Sequence, residues 1–411
     1  MKILMVTPYL PYPLFSGGQV RSYNIIKELS KKHEITLFCA IRSEEENAYI
    51  PLLSKFARVK TFYRGRAFTL SHILSSFFSA LPFILTVYQM PKLKEAIAKE
   101  LVKNKYDLIH VETFYMMHNL PPTEIPIVLF EQNIEYEVYK KIAERFRPSI
   151  VRPLLVFDAD KIKRWEQRFW DKANGLVVMS EAEKKLVSRQ AYVCGNGVDI
   201  KKFKVPAFVK TSARQAKIKT GHRKKKILFI GNFKWFQNID AVRFILEEIW
   251  PKILLEVRSQ RLDVSVKLWI VGKNIPDSIK RLTSDENVIF DENAPSDTRR
   301  IYAEADVLLA PIRASGGTSY KVLEAMASGL AVVTTPQVEN ALEAKDGREL
   351  LIGNSPEELA QKTIEILQNN DLYKNLADNA RKFVEENYDW KIITGKIEKI
   401  YQQTVSQKIY D

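Results

Sequence analysis

Cysteine is scarce in this chain, and long hydrophobic runs are missing. The 411 residues include two cysteines, Cys39 and Cys194, which lack metal-ligand spacing and are too few for a disulfide framework. The most apolar stretch, 73–88, is shorter than the roughly 20 residues of a membrane-spanning helix, and Pro82 interrupts it. It predicts a core or surface helix, with shallow membrane contact as the alternative. The N-terminal residues do not resemble a signal peptide, so we expect a cytoplasmic protein.

Two common phosphate-binding signatures are also missing. The glycine pairs Gly17-Gly18 and Gly316-Gly317 match neither the Walker A loop nor G-x-G-x-x-G. Their absence disfavours a kinase, an ATPase and a standard dinucleotide oxidoreductase.

Positive charge is abundant. The formal net charge is +14, and the segment 201–226 is rich in lysine and arginine and has no acidic residue. Such a run fits an anionic membrane surface or a plain solvated linker. Stacking aromatic residues are sparse there, so nucleic acid is not an expected partner.

Apolar strand-like runs alternate with helical patterns, which predicts parallel sheets with crossover helices. The pattern starts twice, at 2–6 and at 226–230. We therefore predict an α/β protein of two doubly wound domains, each with a ligand crevice at the carboxyl ends of its strands. The candidate strands are 2–7, 35–40, 107–111, 127–130, 176–179, 226–230, 266–271, 288–290, 307–310 and 331–334.

The same patterns predict the domain boundaries. They are an N-terminal domain at 1–195, a basic linker at 196–226, a C-terminal domain at 227–387 and a final helix at 388–411. After Gly353 only helical patterns occur, and they are long enough to pack back across both domains.

The most informative segment is 310–329, APIRASGGTSYKVLEAMASG. A buried strand ends in a glycine-containing loop, a helix follows at 320–328, and Gly329 is placed to cap it. Bare backbone amides in this loop can point at an anion, and the helix dipole adds to the attraction. These amides belong to Gly316, Gly317 and Thr318.

Two side chains of the following helix support the same interpretation. Lys321 lies in the first turn, where it can neutralise phosphate oxygens. Glu324 shares its face and can accept hydrogen bonds from two sugar hydroxyls. The alternative is an ordinary strand–turn–helix with a solvated lysine–glutamate pair.

Gly17 and Gly18 occupy the corresponding place in the first domain. They follow the first strand, and a helix that begins near Gln19 points its amides across the predicted cleft. A glycine pair alone is a weak signal, because many such pairs are plain turns.

Taken together, the motifs resemble family 4 of the retaining glycosyltransferases, over essentially the whole length. Each motif is weak alone, but their order and spacing are specific. They are Gly17-Gly18, 106–110 (YDLIH), 133–135 (NIE), 177–181 (VVMSE), 196–199 (NGVD), 270–272 (IVG), 321–329 (KVLEAMASG), 379–381 (NAR) and 388–390 (YDW).

This resemblance implies a GT-B fold of two facing Rossmann-like domains, the first binding the acceptor and the second a UDP- or GDP-type nucleotide sugar. It implies that the final helix packs back on the N-terminal domain. It places the donor diphosphate at Gly317-Thr318 and near Gly18, with Glu324 on the ribose and the nucleobase near Gly272 and Phe290. No metal and no further cofactor are implied.

The sequence departs from the family pattern at three positions. Many members carry a second glutamate where this chain has Gly316, and an arginine and a lysine where it has Asn232 and Gln237. We expect Gly231 and Asn232 to remain at the donor site. Two positive charges are missing there, and Arg313 and Lys321 are the candidates to replace them.

His110 and Glu112 are the predicted catalytic residues. They end a strand of the first domain and face the cleft if strand alternation holds. A retaining front-face attack needs only a polar group near the acceptor hydroxyl, and Glu131 and Glu135 are further acceptor-side candidates. The alternative for His110 is a packed, hydrogen-bonded strand histidine.

One motif favours different chemistry. Asp158-Ala159-Asp160 resembles the metal motif of the GT-A glycosyltransferases. The two aspartates also suit the N-terminus of a helix predicted at 161–170, so we expect no metal site.

We conclude from the sequence that the chain is a metal-independent, retaining hexosyltransferase-type enzyme. The expected acceptor is a glycan or lipid-linked molecule of cell-surface polysaccharide or glycolipid biosynthesis, and peripheral contact with an anionic membrane at its inner face is expected. The alternatives are a sugar-nucleotide epimerase of the same plan and a non-catalytic scaffold that kept the fold.

Overall fold

The structure, a computed structural model, describes residues 1–145, 148–203, 224–259, 265–293, 295, 297–313 and 318–410. The chain forms two compact units. The first contains Met1–Gly195 and Ile393–Asp411, and the second contains Asn196–Ile392. Most of the predicted basic linker, 204–223, lies outside the described residues.

Seven parallel strands form the sheet described in the first unit. They are β1 (Lys2–Thr7), β2 (Glu34–Ile41), β3 (Arg58–Tyr63), β4 (Leu108–Glu112), β5 (Ile127–Phe130), β6 (Gly175–Val178) and β7 (Tyr192–Val193). Their order is β3-β2-β1-β4-β5-β6-β7. The chain reverses its direction of travel across the sheet between β1 and β4, which is the switch point where doubly wound sheets bind ligands.

Helices connect these strands. They are α1 (Gly17–Leu29), α2 (Ile50–Leu53), α3 (Leu70–Phe78), α4 (Phe83–Val87), α5 (Pro91–Lys103), α6 (Glu135–Arg145), α7 (Arg152–Lys172) and α8 (Glu181–Lys184). Short 3₁₀ turns lie at Glu44–Tyr49, Phe114–Asn119 and Ser149–Val151.

The second unit repeats this topology with six described strands. They are β8 (Lys225–Ile230), β9 (Val266–Val271), β10 (Val288–Asp291), β11 (Val307–Ala310), β12 (Val332–Thr334) and β13 (Leu351–Ile352). Their order is β10-β9-β8-β11-β12-β13, so the switch point falls between β8 and β11.

The remaining helices follow in chain order. They are α9 (Phe236–Phe244), α10 (Trp250–Ser259), α11 (Asp277–Lys280), α12 (Arg299–Glu304), α13 (Tyr320–Ala327), α14 (Pro336–Leu342), α15 (Pro356–Gln368), α16 (Asn370–Asn387) and α17 (Trp390–Tyr410). A π-helical turn, Ile245–Ile249, joins α9 to α10.

Both faces of the second sheet are buried, which explains its continuous apolar strands. Along β8, Leu228 and Ile230 pack with the core that includes α13, whereas Ile227 and Phe229 pack with the core that includes α9 and α10. Side chains that alternate between two cores leave no polar face on the strand. The predicted α/β class with parallel sheets is confirmed.

Three strands were not predicted, and all three lie at sheet edges: β3, β7 and β13. β3 carries Arg58 and Lys60 among its six residues and is only partly buried. The other two have two residues each. Short or charged edge strands resist edge-to-edge pairing, and this removes the apolar pattern by which sequence analysis recognises a strand.

Three predicted helices differ in their bounds from the structure. The apolar stretch 73–88 forms two helices, α3 and α4, because Pro82 stands at the N-cap of the second one. Helix α7 begins at Arg152, with Pro153 in its first turn, and not at Lys161. The start of α1 at Gly17, capped by Ser16, is two residues before the predicted start.

Candidate functional site

Helices α9 and α13, which follow β8 and β11, meet at the switch point of the second unit. The strands are neighbours, with Leu228 paired to Leu308, so their carboxyl ends lie side by side. One hydrogen bond joins the two helices: Lys321 Nζ of α13 donates to Asn238 Oδ1 of α9. The predicted residues Gly231, Asn232 and Lys321 are therefore brought together.

Asn238 is a site residue that the sequence analysis missed. Its amide nitrogen donates to the Asn232 carbonyl at 2.8 Å, while its oxygen accepts from Lys321. A Cβ atom on Gly231 would lie 2.7 Å from Asn238 Cγ, so the glycine leaves space for this amide. Nothing in the sequence marks an asparagine in a helix as a link between two loops.

Gly272 is required by a close approach of two backbones. It follows β9 with φ of +155°, and a Cβ atom there would lie 1.7 Å from the Gly231 carbonyl oxygen. The two loops are also joined by a hydrogen bond from Phe233 N to Lys273 O at 3.0 Å. Phe290 lies on β10, partly buried, and packs against the core on the α9 side of the sheet.

Lys321 is a partly buried cation with no acidic partner among the described residues. Its ammonium lies 4.2 Å from the centre of the Phe229 ring and donates to the neutral amide of Asn238. Burial lowers the pKa of Lys321 to about 7. A cation held in this way favours an anion that supplies the missing counter-charge.

The N-terminus of α13 carries no side-chain cap, since the Ser319 side chain makes no capping hydrogen bond. The residue before it is firmly held: Asn196 N donates to Thr318 Oγ1 at 2.7 Å, and Asn196 Nδ2 donates to Thr318 O at 3.0 Å. First-turn amides of an uncapped helix can bind an anion. Gly316 and Gly317 lie outside the described residues.

Glu324 is fixed through one of its two carboxylate oxygens. Tyr302 Oη and Thr298 Oγ1 donate to Oε2 at 2.9 Å and 3.3 Å. Among the described residues, no donor reaches Oε1. Burial raises the pKa of Glu324 above its usual value.

Arg313 pairs with an acid of its own unit. Its guanidinium donates to Asp240 at 2.9 Å and 3.2 Å and lies 4.0 Å from the centre of the Phe244 ring. Its charge is therefore partly balanced, and Lys321 is the predicted replacement cation without an acidic partner in the described chain.

The switch point of the first unit holds a connected polar network. Gln132 Nε2 donates to Glu112 Oε2 at 2.7 Å and to Tyr9 Oη, whose other neighbour is Ser22 at 3.2 Å. A Cβ atom on Gly18 would lie 2.5 Å from both Gln132 Oε1 and Tyr9 Oη. Glycine at this position lets the first turn of α1 touch the network. Gly17 is exposed and is the first residue of α1.

His110 and Glu112 form the inner end of this network. His110 Nε2 lies 3.1 Å from Glu112 Oε1, His110 Nδ1 contacts Tyr401 Oη of α17, and the imidazole stacks on Phe130. Burial lowers the pKa of His110. Burial alone would raise the pKa of Glu112, but the hydrogen bond and charge of His110 bring it below its usual value.

Both side chains are 0% exposed, and whether they face the cleft stays a prediction. Alternation does place them on one face of β4, as expected, but that face is covered by Tyr401 and Gln132. Their catalytic role stays a prediction.

Comparisons with known proteins show the family of this chain. A family model described as Glycosyltransferase Family 4 matches residues 15–202, and one described as Glycosyl transferases group 1 matches residues 224–369. The chain belongs to glycosyltransferase family 4. Among curated relatives, an uncharacterized 44.6 kDa protein in the cps region of Klebsiella pneumoniae is 24% identical over 97% of this chain and 99% of the relative.

Solved structures show that this glycosyltransferase has the GT-B type of fold. Sucrose-phosphate synthase from Thermosynechococcus elongatus superposes with a TM-score of 0.71 at 15% identity, covering 99% of this chain and 100% of that one. WaaG, a glycosyltransferase involved in lipopolysaccharide biosynthesis, gives 0.63 at 16% identity, covering 97% and 99%. Anabaena HepE in complex with UDP and glucose gives 0.59 at 16% identity, covering 98% and 100%.

The D-x-D motif of this glycosyltransferase lies within a helix. Asp158 and Asp160 are in the middle of α7, and Asp158 Oδ1 accepts hydrogen bonds from Ser76 Oγ and Phe83 N. The prediction that the pair stands at a helix N-terminus was wrong. In the described part of the chain, no group of three or more His, Cys, Asp or Glu side chains is arranged to hold a metal ion.

Glu131 and Glu135, the further acceptor-side candidates, are withdrawn from solvent to different degrees. Glu131 is buried, accepts from Trp170 Nε1 at 2.9 Å and has its pKa raised to about 8 by burial. Glu135 is partly buried at the start of α6, and burial raises its pKa to about 7.

Two further residues at the first switch point were not anticipated. Arg21 is 1% exposed and donates to the carbonyls of Gly195 and Cys194 at 2.7 Å and 3.0 Å. Thr113 follows β4 with φ of +70°, a conformation that β-branched residues rarely adopt and that occurs often at functional sites. An arginine in a helix and a threonine after a strand are common, so the sequence alone does not indicate these two positions.

Proposed function

We propose that this glycosyltransferase transfers a hexose-type sugar from a UDP- or GDP-type nucleotide sugar to a glycan or lipid-linked acceptor. In the proposal, the reaction retains the configuration of the sugar and needs no metal. The observation that carries it is Lys321, a partly buried ammonium with no described acidic partner beside an uncapped helix N-terminus.

A donor diphosphate satisfies what this site lacks. Its oxygens can accept from Lys321 Nζ and from the first-turn amides of α13, and its charge offsets the cost of holding the ammonium away from water. Asn238 keeps the ammonium in place through an uncharged contact, which leaves its charge available to the ligand. Donors already in position when the leaving group develops charge lower the barrier to transfer.

The nucleoside fits beside the diphosphate. Glu324 Oε1 is available to accept from ribose hydroxyls, while Tyr302 and Thr298 hold the carboxylate in place through Oε2. We place the base near Gly272 and Phe290, as the resemblance implies. HepE, which shares the fold, was solved with UDP and with UDP-glucose.

In the proposed reaction an acceptor hydroxyl oxygen attacks the anomeric carbon of the donor sugar. The bond from that carbon to the β-phosphate oxygen breaks on the same face, and its electron pair leaves with the nucleoside diphosphate. The acceptor proton passes to an oxygen of the departing diphosphate. We propose that His110 and Glu112 act indirectly, by fixing Gln132 and Tyr9 beside Gly18.

We further propose that the acceptor belongs to cell-surface polysaccharide or glycolipid synthesis at the inner face of a membrane. Two comparisons support this class: the relative in the Klebsiella cps region and the fold shared with WaaG. No described helix of this chain has both the length and the hydropathy to cross a bilayer.

A thermal-shift screen against UDP-, GDP- and ADP-sugars tests donor binding. A donor that binds the folded state should raise Tm. At a hundredfold excess over Kd, it should add about 3 kcal/mol to the free energy of unfolding. A flat response to all three classes contradicts the proposal.

Further measurements test the finer parts. NMR of product should show an unchanged anomeric configuration, and activity should survive a chelator. Conversion of the donor sugar without any acceptor would show a sugar-nucleotide epimerase instead. Unchanged turnover in both Lys321→Ala and Glu324→Ala would mean that the chemistry lies elsewhere. No turnover by the wild type with any donor would favour the non-catalytic scaffold.

A further inference from the structure

Helix α3 turns its apolar face outward. Leu70, Ile73, Leu74, Phe77 and Phe78 recur at the i, i+3, i+4, i+7 and i+8 spacing of one helical face, and all five are exposed. The two phenylalanines are 61% and 79% exposed, whereas the polar Ser76 of the same helix is 8% exposed. A surface helix of a globular protein normally has the opposite orientation.

Polar contacts with α7 fix this orientation. Ser76 Oγ donates to Asp158 Oδ1 at 3.1 Å, and Phe83 N donates to the same oxygen at 2.9 Å. Lys161 Nζ donates to the carbonyls of Ser76 and Ser79. Because hydrogen bonds to Asp158 and Lys161 fix the inner side of α3, the exposure of its apolar face follows from the fold.

The apolar surface continues beyond α3. Leu154 and Phe157 of α7 are exposed, and Lys161 Nζ, which holds the end of α3, lies 4.9 Å from the centre of the Phe157 ring. Phe68, just before α3, is exposed and stacks on Phe83. We call α3 together with Phe68, Leu154 and Phe157 the docking surface. A contiguous patch of this kind on a monomer marks an interaction site.

The sequence around α3 is basic, whereas on α7 Asp158 accepts hydrogen bonds from Ser76 and Phe83 and Asp160 is exposed. Between Glu46 and Glu95 the sequence has no acidic residue, and it has seven lysines and arginines. Arg58 and Lys60 pair with Glu100, but Arg66 is exposed two residues before Phe68. Exposed aromatic and aliphatic side chains beside unbalanced basic charge match the boundary between headgroups and acyl chains in an anionic bilayer.

We propose that the docking surface binds an anionic membrane, with the apolar face of α3 inserted at the level of the lipid headgroups. This deepens the membrane part of the proposed function by naming the residues responsible. Binding here needs neither donor nor acceptor, so its failure would leave donor binding at Lys321 untouched.

Flotation with vesicles of phosphatidylcholine, with and without phosphatidylglycerol, tests the proposal on the full-length protein. We expect binding to the anionic vesicles that weakens with salt. Phe77→Ser with Phe78→Ser should reduce the binding about tenfold or more, since two large apolar side chains leave the interface. Arg66→Gln should reduce it by about fivefold.

The matched control is Val102→Ser with Leu255→Ser, which removes two apolar side chains that are 91% and 65% exposed and lie outside the docking surface. This variant should bind vesicles like the wild type. Thermal unfolding and the donor-induced shift in Tm should be unchanged in all variants, which shows that each is folded.

Three results would overturn the proposal. They are no binding of the wild type to anionic vesicles, equal binding of the Phe77/Phe78 variant, and equal loss in the Val102/Leu255 control. Light scattering tests whether a second copy of the chain binds this surface instead of a membrane. A dimeric wild type, a monomeric Phe77/Phe78 variant and no vesicle binding would make the surface an interface between two copies of the chain.

Discussion

The two switch points share a topology but differ in how their charged side chains are paired. In the first unit, His110 and Glu112 are fully buried and each has partners: the pair bond to one another, to Tyr401 and to Gln132. In the second unit, Lys321 is partly buried, and its partners among the described residues are a neutral amide and an aromatic ring. The described part of the chain pairs the first group of charges but supplies no counter-charge to Lys321.

The difference distinguishes polar groups that stabilise the core from polar groups that can bind a ligand. A satisfied buried network contributes to rigidity and specifies how the core packs. A cation without a counter-charge costs stability in the free protein and is maintained where a ligand supplies that charge. We therefore propose that the same strand order supports a positioning network in one unit and an anion site in the other.

The largest expected effect comes from breaking the closed network. Glu112→Ala leaves His110 Nε2 and the Gln132 amide without their acceptor and creates a cavity, so the free energy of unfolding should fall by about 3 kcal/mol. Chemical denaturation measures the loss. Glu112→Gln keeps the shape and should lose less. A fully stable Glu112→Ala protein would show that the network is not a packing element.

Removing the cation of the open site should act in the opposite direction on stability. Lys321→Met keeps the length and volume of the side chain, so Tm without ligand should stay equal or rise, because no charge is then held away from water. Affinity for the nucleoside diphosphate should fall about 30-fold by calorimetry, near 2 kcal/mol. Lys382→Met, at an exposed lysine of α16, is the control and should change neither quantity. Unaltered affinity in Lys321→Met would remove the main support for the anion site.

A smaller loss is expected from the carboxylate in the same unit. Glu324→Ala removes an acceptor for ribose hydroxyls and should weaken donor binding about tenfold. Tyr302→Phe removes one of the two donors that hold Glu324, so a smaller loss of the same kind should follow. A Tyr302→Phe variant that binds as poorly as Glu324→Ala would indicate a structural defect instead of a lost contact.

The last expected effect, at most about 1.4 kcal/mol for each pH unit, is on how the free energy of unfolding depends on pH. Burial raises the pKa of Glu131 from 4.5 to about 8, helped by the charges of Glu135 and Glu183. The folded state therefore holds the proton more tightly, and stability should fall as the pH rises from 4.5 toward 8. Lys321, whose pKa burial lowers to about 7, loses its proton first in the folded state, so its contribution to stability should rise above that pH.

Thermal unfolding measured from below pH 4.5 to above pH 8 tests both the expected fall and the expected rise in stability. Glu131→Gln should flatten the fall by up to about 1.4 kcal/mol per pH unit, the value for one proton. Lys321→Met should remove the rise at high pH. Glu144→Gln, at an exposed position of α6, should leave both slopes in place. Parallel curves for wild type and Glu131→Gln would contradict the raised pKa.

The sequence determined the fold class, since doubly wound sheets need buried strands that are apolar on both faces and helices that alternate with them. It also indicated Lys321 and Glu324, because a glycine loop, a lysine and a glutamate follow a buried strand in a fixed order. Those signals are local, and local spacing determines which residues share a helix face.

The tertiary structure alone decided the rest. Asn238 lies 83 residues from Lys321 in the sequence, and Tyr401 lies 291 residues from His110. Whether His110 is open or closed depends on what α17 places over it, and whether the apolar face of α3 is core or surface depends on the hydrogen bonds of Asp158 and Lys161. The burial of a side chain and its hydrogen-bond partners depend on contacts between segments that are distant in sequence, so the neighbouring residues in the sequence do not predict them.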